Sequence, residues 1–157
     1  MKFILRFMVV FTCFCSACNP QKNIEVSQIL GQWELKGLEG RQLDATNTQS
    51  NTTTFYCKDF DNCFMTITAD SIKCKGSYNQ VLTKDGTSPQ IYTNLSFSSQ
   101  RKYTLSGDEI TSYNKDNNII YKIDSFTNSK MTLTWYDNEN IQGLTKEAST
   151  SFFFQKR

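Results

Sequence analysis

The feature of this sequence that most restricts its fold is a series of short runs in which apolar and polar residues alternate. Turn-forming residues separate the runs about every eight to twelve positions, a spacing typical of antiparallel barrels and sandwiches. The sequence therefore predicts an all-β domain. Ten runs have this pattern: Gln32–Leu38, Thr53–Cys57, Cys63–Thr68, Ser71–Tyr78, Ile91–Ser98, Arg101–Ser106, Glu109–Tyr113, Ile119–Phe126, Met131–Tyr136 and Thr150–Gln155.

The first seventeen residues have the composition of a secretory signal. Lys2 and Arg6 form a short basic start, and Phe7–Phe14 form an apolar middle. A transmembrane helix is the alternative, but it needs about 20 apolar residues, and the run here ends after about eleven. We therefore predict a cleaved signal peptide over residues 1–17.

The end of this segment, Cys15-Ser16-Ala17-Cys18, resembles a lipobox, the site at which bacterial lipoproteins are cut and acylated on a cysteine. The resemblance implies lipid, including palmitate, on Cys18, followed by a short tether that completes residues 18–27. It also implies a place in the cell envelope, for which we expect the outer membrane, with the domain in the periplasm or at the cell surface. Residues 28–157 have a normal size for one domain.

The segment Leu30-Gly31-Gln32-Trp33-Glu34-Leu35 resembles the opening of lipocalin-like proteins, whose first strand has a Gly-x-Trp pattern. Gly31 allows a sharp turn into the strand, and Trp33 can plug one end of a small barrel with its indole N–H on a backbone carbonyl. The turn spacing across residues 103–133 and the aromatic strand before Lys156 are also similar to bacterial lipocalin-like lipoproteins. The resemblance implies an antiparallel up-and-down (lipocalin-like) barrel of about 8–10 strands, with a β-sandwich as the alternative.

Helix signals are confined to two short segments. The segment Ser27–Gly31 predicts one turn that packs Ile29 or Leu30 under the floor of the barrel. The segment Gln142–Ala148 predicts a second turn.

The chain has no histidine, so it lacks the usual general base near neutral pH and the commonest metal ligand. Its acidic residues lie mostly in turns, where solvated capping is the expected role. We therefore predict no catalytic residue, no metal, no cofactor and no enzymatic activity. Of 17 basic residues the signal removes Lys2 and Arg6, which leaves 15 against 15 acidic residues. Because the domain is near neutral, nucleic acid is not an expected partner.

Three cysteines follow Cys18, and two of them are expected to pair outside the cytoplasm. If residues 58–62 are a hairpin loop, Cys57 and Cys63 face each other with Cα atoms about 4.5–5.5 Å apart, which a disulfide can span. A Cys63–Cys74 bond is the alternative. Cys74 is otherwise a free thiol.

Alternating apolar and aromatic side chains are the candidates for a ligand pocket, because a barrel of about eight strands can hold one small ligand or be filled by side chains. The first hypothesis is a non-enzymatic, lipid-anchored module that binds a small apolar or amphipathic molecule in the barrel. The alternative is a plugged barrel whose loops, Gly40–Asn51 and Tyr78–Gln90, contact an unknown protein of the envelope. The candidate ligand-binding residues are Trp33, Phe55, Met65, Ile67, Phe97, Tyr103, Tyr121, Ile123, Leu133 and Trp135.

Overall fold

Strands make up most of the computed structural model, which describes residues 23–45, 50–113, 118–141 and 144–157. The predicted signal peptide and lipidation site, residues 1–18, lie outside the described residues. The elements are α1 (Val26–Ile29), β1 (Gly31–Ala45), β2 (Ser50–Ile67), β3 (Ser71–Lys84), β4 (Gln90–Ser106), β5 (Glu109–Tyr113), β6 (Asn118–Phe126), β7 (Lys130–Ile141) and β8 (Leu144–Lys156).

The eight strands form a closed antiparallel barrel. Each strand pairs with the next one along the chain, and β8 pairs with β1 to close the ring. At this seam Trp33 of β1 lies opposite Lys156 of β8. The predicted all-β, up-and-down barrel is therefore confirmed, and the sandwich alternative is wrong.

Ten predicted runs become eight strands because two pairs of runs merge. Turn-forming residues in β2 lie in bulges rather than in a hairpin: Asp59 and Asn62 have φ values of 54° and 50°, and the β2–β3 register slips on both sides of Asp61. Asp and Asn tolerate this left-handed conformation, so they can bend a strand without ending it. The merged runs are Thr53–Cys57 with Cys63–Thr68 in β2, and Ile91–Ser98 with Arg101–Ser106 in β4.

Two predicted loops and one predicted helical turn are largely strand. The strands β1 and β2 occupy Gly40–Asn51 except for residues 46–49, which lie outside the described residues. Between Tyr78 and Gln90 only residues 85–89 leave the ladder. The strand β8 covers Gln142–Ala148 except for residues 142–143, which lie outside the described residues. These predictions are wrong because polar residues are as common on the solvated face of a strand as they are in loops.

The short helix α1 covers one end of the barrel, as the sequence predicts. Ile29 at its end is 0% exposed. Ile24, which falls in the predicted tether, is 5% exposed and belongs to the same core cluster. The packed part of the chain therefore begins before Gln28. In the described ranges, no helix is long and apolar enough to cross a membrane.

Trp33 closes this end from inside the barrel. Its ring is 0% exposed, and its Nε1–H donates a hydrogen bond to the carbonyl oxygen of Ile29 over 2.8 Å. The ring of Phe126 packs against it with a centroid distance of 6.1 Å. The Gly-x-Trp pattern predicts this position for Trp33, and we refer to this end of the barrel as the closed end.

Candidate ligand-binding site

An apolar cavity with two adjoining compartments lies inside the barrel. The compartment that contains Arg101, here called the lower compartment, has a volume of about 120 Å³. The compartment that contains Tyr78, here called the upper compartment, has a volume of about 190 Å³. Both share one wall, formed by Met65, Cys74, Ser99, Tyr121, Phe152 and Phe154.

Successive side chains of β4 point to opposite faces of the sheet, and that of Arg101 points into the barrel. Arg101 lies opposite Ile72 of β3, which in turn lies opposite Ile67 of β2. Both isoleucines are buried in the core, and paired residues in a ladder project to the same face of the sheet. Arg101 therefore projects to the inner face, in step with Ser99 and Tyr103.

The guanidinium of Arg101 is the notable polar group of the lower compartment. Its Nη1 atom is buried and has no hydrogen-bond partner in the described part of the chain. Ser112, which is 4% exposed, lines the same compartment. The other lining residues found only here are Ile72, Ile110 and Leu133. This compartment therefore combines one positive charge with largely apolar walls.

Two ionisable groups beside Arg101 are neutral near pH 7. Burial raises the pKa of the Cys74 thiol to about 11, although a hydrogen bond with Ser99 and the charge of Arg101 both act to lower it. Burial also raises the pKa of the Tyr121 phenol, and Arg101 again acts in the opposite direction. A protonated thiol is a poor nucleophile, so Cys74 serves here as a wall of the cavity.

Aromatic rings form much of the upper compartment. The rings of Tyr78 and Phe97 are tilted at a centroid distance of 5.9 Å, and Tyr121 meets the edge of Phe152 at 5.9 Å. Leu35 and Leu38 from β1 and Phe64 from β2 complete the lining. Rings in such contacts give a rigid apolar surface.

The structure has Cys57, Cys63 and Cys74 as free thiols. The premise of a hairpin between Cys57 and Cys63 is wrong, because both lie on β2. Cys57 lies opposite Gln80 of β3, and Cys63 packs against Gly76 of β3. Gln80 and Gly76 are four positions apart, which is about 13 Å along a strand, and the two cysteines opposite them are separated to a similar extent. A disulfide needs Cα atoms within about 7 Å.

The alternative pair is also separated. Cys74 lies opposite Met65, so Cys63 is its diagonal neighbour across the β2–β3 ladder. Diagonal positions have Cα atoms about 7–8 Å apart, which is beyond the usual span of a disulfide.

The ten candidate residues separate into cavity walls and packed core. Met65, Phe97, Tyr121 and Leu133 line the cavity. The remaining six lie elsewhere: Trp33, Ile67, Tyr103 and Ile123 in the packed core, Phe55 over Gly40, and Trp135 opposite Thr150.

The sequence reasoning missed Arg101. It ended one run at Ser98, began the next at Arg101 and left Arg101 out of the candidate ligand-binding residues. Continuing the alternation of Phe97 through residue 99 would have placed Arg101 on the inner face. It also missed Phe152 and Phe154. These residues are two positions apart on β8, so both rings lie on the same face and line the cavity.

Comparisons with known proteins give a likeness among solved structures. No family model matches the chain, and no curated protein matches it. Among solved structures, the S-type phycobiliprotein lyase CPES from Guillardia theta is similar, with 10% sequence identity and a TM-score of 0.34, over 84% of this chain and 90% of that one.

The prediction that the chain is not an enzyme is withdrawn. The neighbour is by its name a lyase, which is an enzyme. The absence of histidine removes one kind of general base, whereas carboxylates, thiols and phenols remain in the sequence. A TM-score of 0.34 assigns no activity to this chain.

Proposed function

We propose that this protein binds a small apolar or amphipathic molecule inside its barrel while a lipid on Cys18 holds it to a membrane of the cell envelope. The cavity with two compartments is the observation that carries the proposal. Compartments of about 120 and 190 Å³ together approach the lower end of the range for small-molecule sites, about 300–1,000 Å³. Such sites combine apolar walls with a few polar groups, and this cavity has both.

The plugged-barrel alternative loses most of its support. It needs long loops over Gly40–Asn51 and Tyr78–Gln90, and β1 to β4 occupy most of both segments. A narrow internal cavity takes the place of the plug. Ligand binding is therefore the function that we carry forward.

The binding proposal can be tested with an uncharged fluorescent probe, N-phenyl-1-naphthylamine. Ser99 lies on the shared wall of the cavity, whereas Ser98 lies on the outer face of β4 opposite Lys75. A phenylalanine at position 99 would fill the cavity, and one at position 98 would point to solvent. We expect Ser99→Phe to weaken probe binding at least about tenfold and Ser98→Phe to leave it unchanged. Equal binding by the two variants would contradict an internal site.

The anchoring proposal rests on the signal composition of residues 1–17 and on the lipobox before Cys18. Cells fed labelled palmitate should label the wild-type protein, which should enter the detergent-rich phase of Triton X-114. Cys18→Ala should lose the label and remain in the aqueous phase. Cys15→Ala is the matched control and should keep both properties. Label on the Cys18→Ala protein would overturn the anchor.

A further inference from the structure

Arg101 places a permanent positive charge in a cavity whose other walls are apolar or neutral. A guanidinium stays protonated at all physiological pH values. Among the described residues that line the two compartments, none is acidic. The Nη1 atom of Arg101 is buried without a hydrogen-bond partner there. A buried charged donor without an acceptor is unfavourable, so this site favours a ligand that brings an acceptor.

We propose that the barrel binds a single-chain amphiphile through a carboxylate head group on Arg101. This inference rests on the proposed function and names the substrate class of the same site. A guanidinium can hold a carboxylate through two parallel N–H···O bonds, which are among the stronger hydrogen bonds in proteins. The hydroxyl groups of Ser99 and Ser112 line the same compartment and are further donors for the head group.

The order of the compartments sets the orientation of the ligand. Arg101 lies in the lower compartment with Ile72 and Ile110, each the second residue of its strand at the closed end. The upper compartment lies farther from that end and is lined by Leu38, Tyr78 and Phe97. The carboxylate therefore points toward the closed end, and the hydrocarbon chain extends through the upper compartment.

The charge of the site distinguishes a carboxylate from a phosphate. One guanidinium neutralises one carboxylate, whereas a phosphate monoester has close to two negative charges near pH 7. Arg101 is the one cationic residue among the described residues that line the cavity. A phosphate in this site would therefore keep an unpaired charge in apolar surroundings, which is unfavourable.

The test compares amphiphiles that share a chain and differ in the head group. Decanoic acid, decan-1-ol and decyl phosphate are titrated against wild-type protein loaded with N-phenyl-1-naphthylamine. We expect decanoic acid to displace the probe at a concentration at least about tenfold lower than decan-1-ol. Decyl phosphate should be weaker than decanoic acid.

Two variants assign this preference to Arg101. Arg101→Met keeps an unbranched apolar stem and should bind decanoic acid no more tightly than decan-1-ol, with binding of the alcohol preserved. Lys102→Gln is the matched control, because Lys102 is exposed on the opposite face of β4, and it should behave as wild type. Circular dichroism checks that each variant keeps the barrel. If Arg101→Met does not fold, Arg101→Lys serves instead and should lose most of the preference, since an ammonium lacks the planar fork.

The outcomes separate this inference from the proposed function. Equal affinity of the wild-type protein for acid and alcohol, or a preference kept by the Arg101 variants, would overturn the carboxylate site while ligand binding stands. Tighter binding of decyl phosphate than of decanoic acid would overturn the choice of head group. Failure of the wild-type protein to bind the probe at all would overturn the proposed function and the inference with it.

Discussion

The indole Nε1–H of Trp33 donates to the carbonyl oxygen of Ile29 across 2.8 Å, and both side chains are fully buried at the closed end of the barrel. This bond joins the first strand to α1 and satisfies a carbonyl at the helix end. The closed end is therefore held by a polar contact inside an apolar cluster.

Replacing Trp33 by Phe should destabilise the protein. The carbonyl oxygen of Ile29 would lose its donor, which costs about 1–3 kcal/mol, and the smaller ring would leave space below the barrel. Urea unfolding measures the change in the free energy of unfolding. Trp135→Phe is the matched control and should cost less, because Trp135 is only partly buried. Equal losses in the two variants would contradict the role of the Trp33 bond.

Gly76 is expected to be intolerant of any side chain. Its φ is +150°, and a Cβ atom there would overlap the Sγ and Cα atoms of Cys63 on the neighbouring strand. We expect Gly76→Ala to cost at least about 2 kcal/mol, from overpacking and backbone strain together. Gly86 also has a positive φ, of +73°, but a Cβ atom at this position would meet no other atom within 4 Å. Gly86→Ala should cost about 1 kcal/mol, and a larger loss in this variant than in Gly76→Ala would refute the steric argument.

Stability should fall as the pH rises above 9.0. Burial raises the pKa of Cys57 and of Cys74 from 9.0 to about 11. Between these values the unfolded chain has lost thiol protons that the folded chain still holds. The contribution of the neutral thiols is therefore fully present below pH 9.0 and is lost as the pH rises through about 11.

The variant Cys74→Ser isolates one of these groups. Urea midpoints measured between pH 8 and pH 10.5 should decline less steeply in Cys74→Ser than in the wild-type protein. Tyr78 and Tyr121, whose pKa values burial also raises, are present in both proteins. The difference between the two curves therefore reports Cys74, and parallel curves would count against its burial.

All three thiols of the barrel should react with iodoacetamide in urea without a reducing agent. The β2–β3 register keeps Cys57, Cys63 and Cys74 too far apart to pair without moving the backbone. Mass spectrometry should find three alkylated cysteines in the chain after Cys18. Two unmodified cysteines and a mass lower by two hydrogens would show that the bulges of β2 rearrange to form a bond.

The strands were largely predictable because apolar and polar residues alternate in most of them. In β7, for example, Met131, Leu133 and Trp135 alternate with polar residues. The merging of β2 was not predictable. Asp59 and Asn62 favour a turn and a bulge alike, and only the pairing with β3 decides between them. Pairing with a distant segment therefore decides between a turn and a bulge where the local sequence favours both.

The site was less predictable than the strands. Alternation correctly places Met65, Phe97 and Tyr121 inside the barrel, but it cannot separate a cavity wall from packed core. That distinction depends on how many neighbours fill the space around each side chain. Arg101 was not among the candidate residues, although it lies four positions after Phe97 on β4 and therefore projects to the same, inner face.

The seam between β1 and β8 sets the order in which this molecule can assemble. Every other ladder joins strands that are neighbours in the sequence, so hairpins can form early with little loss of chain entropy. The seam joins Glu34 and Arg157, which are 123 positions apart. It must therefore form late, because nearly the whole chain has to be present before the ring can close. Until then the sheet has two unpaired edge strands, so the folding chain is most open to aggregation just before its last strand pairs.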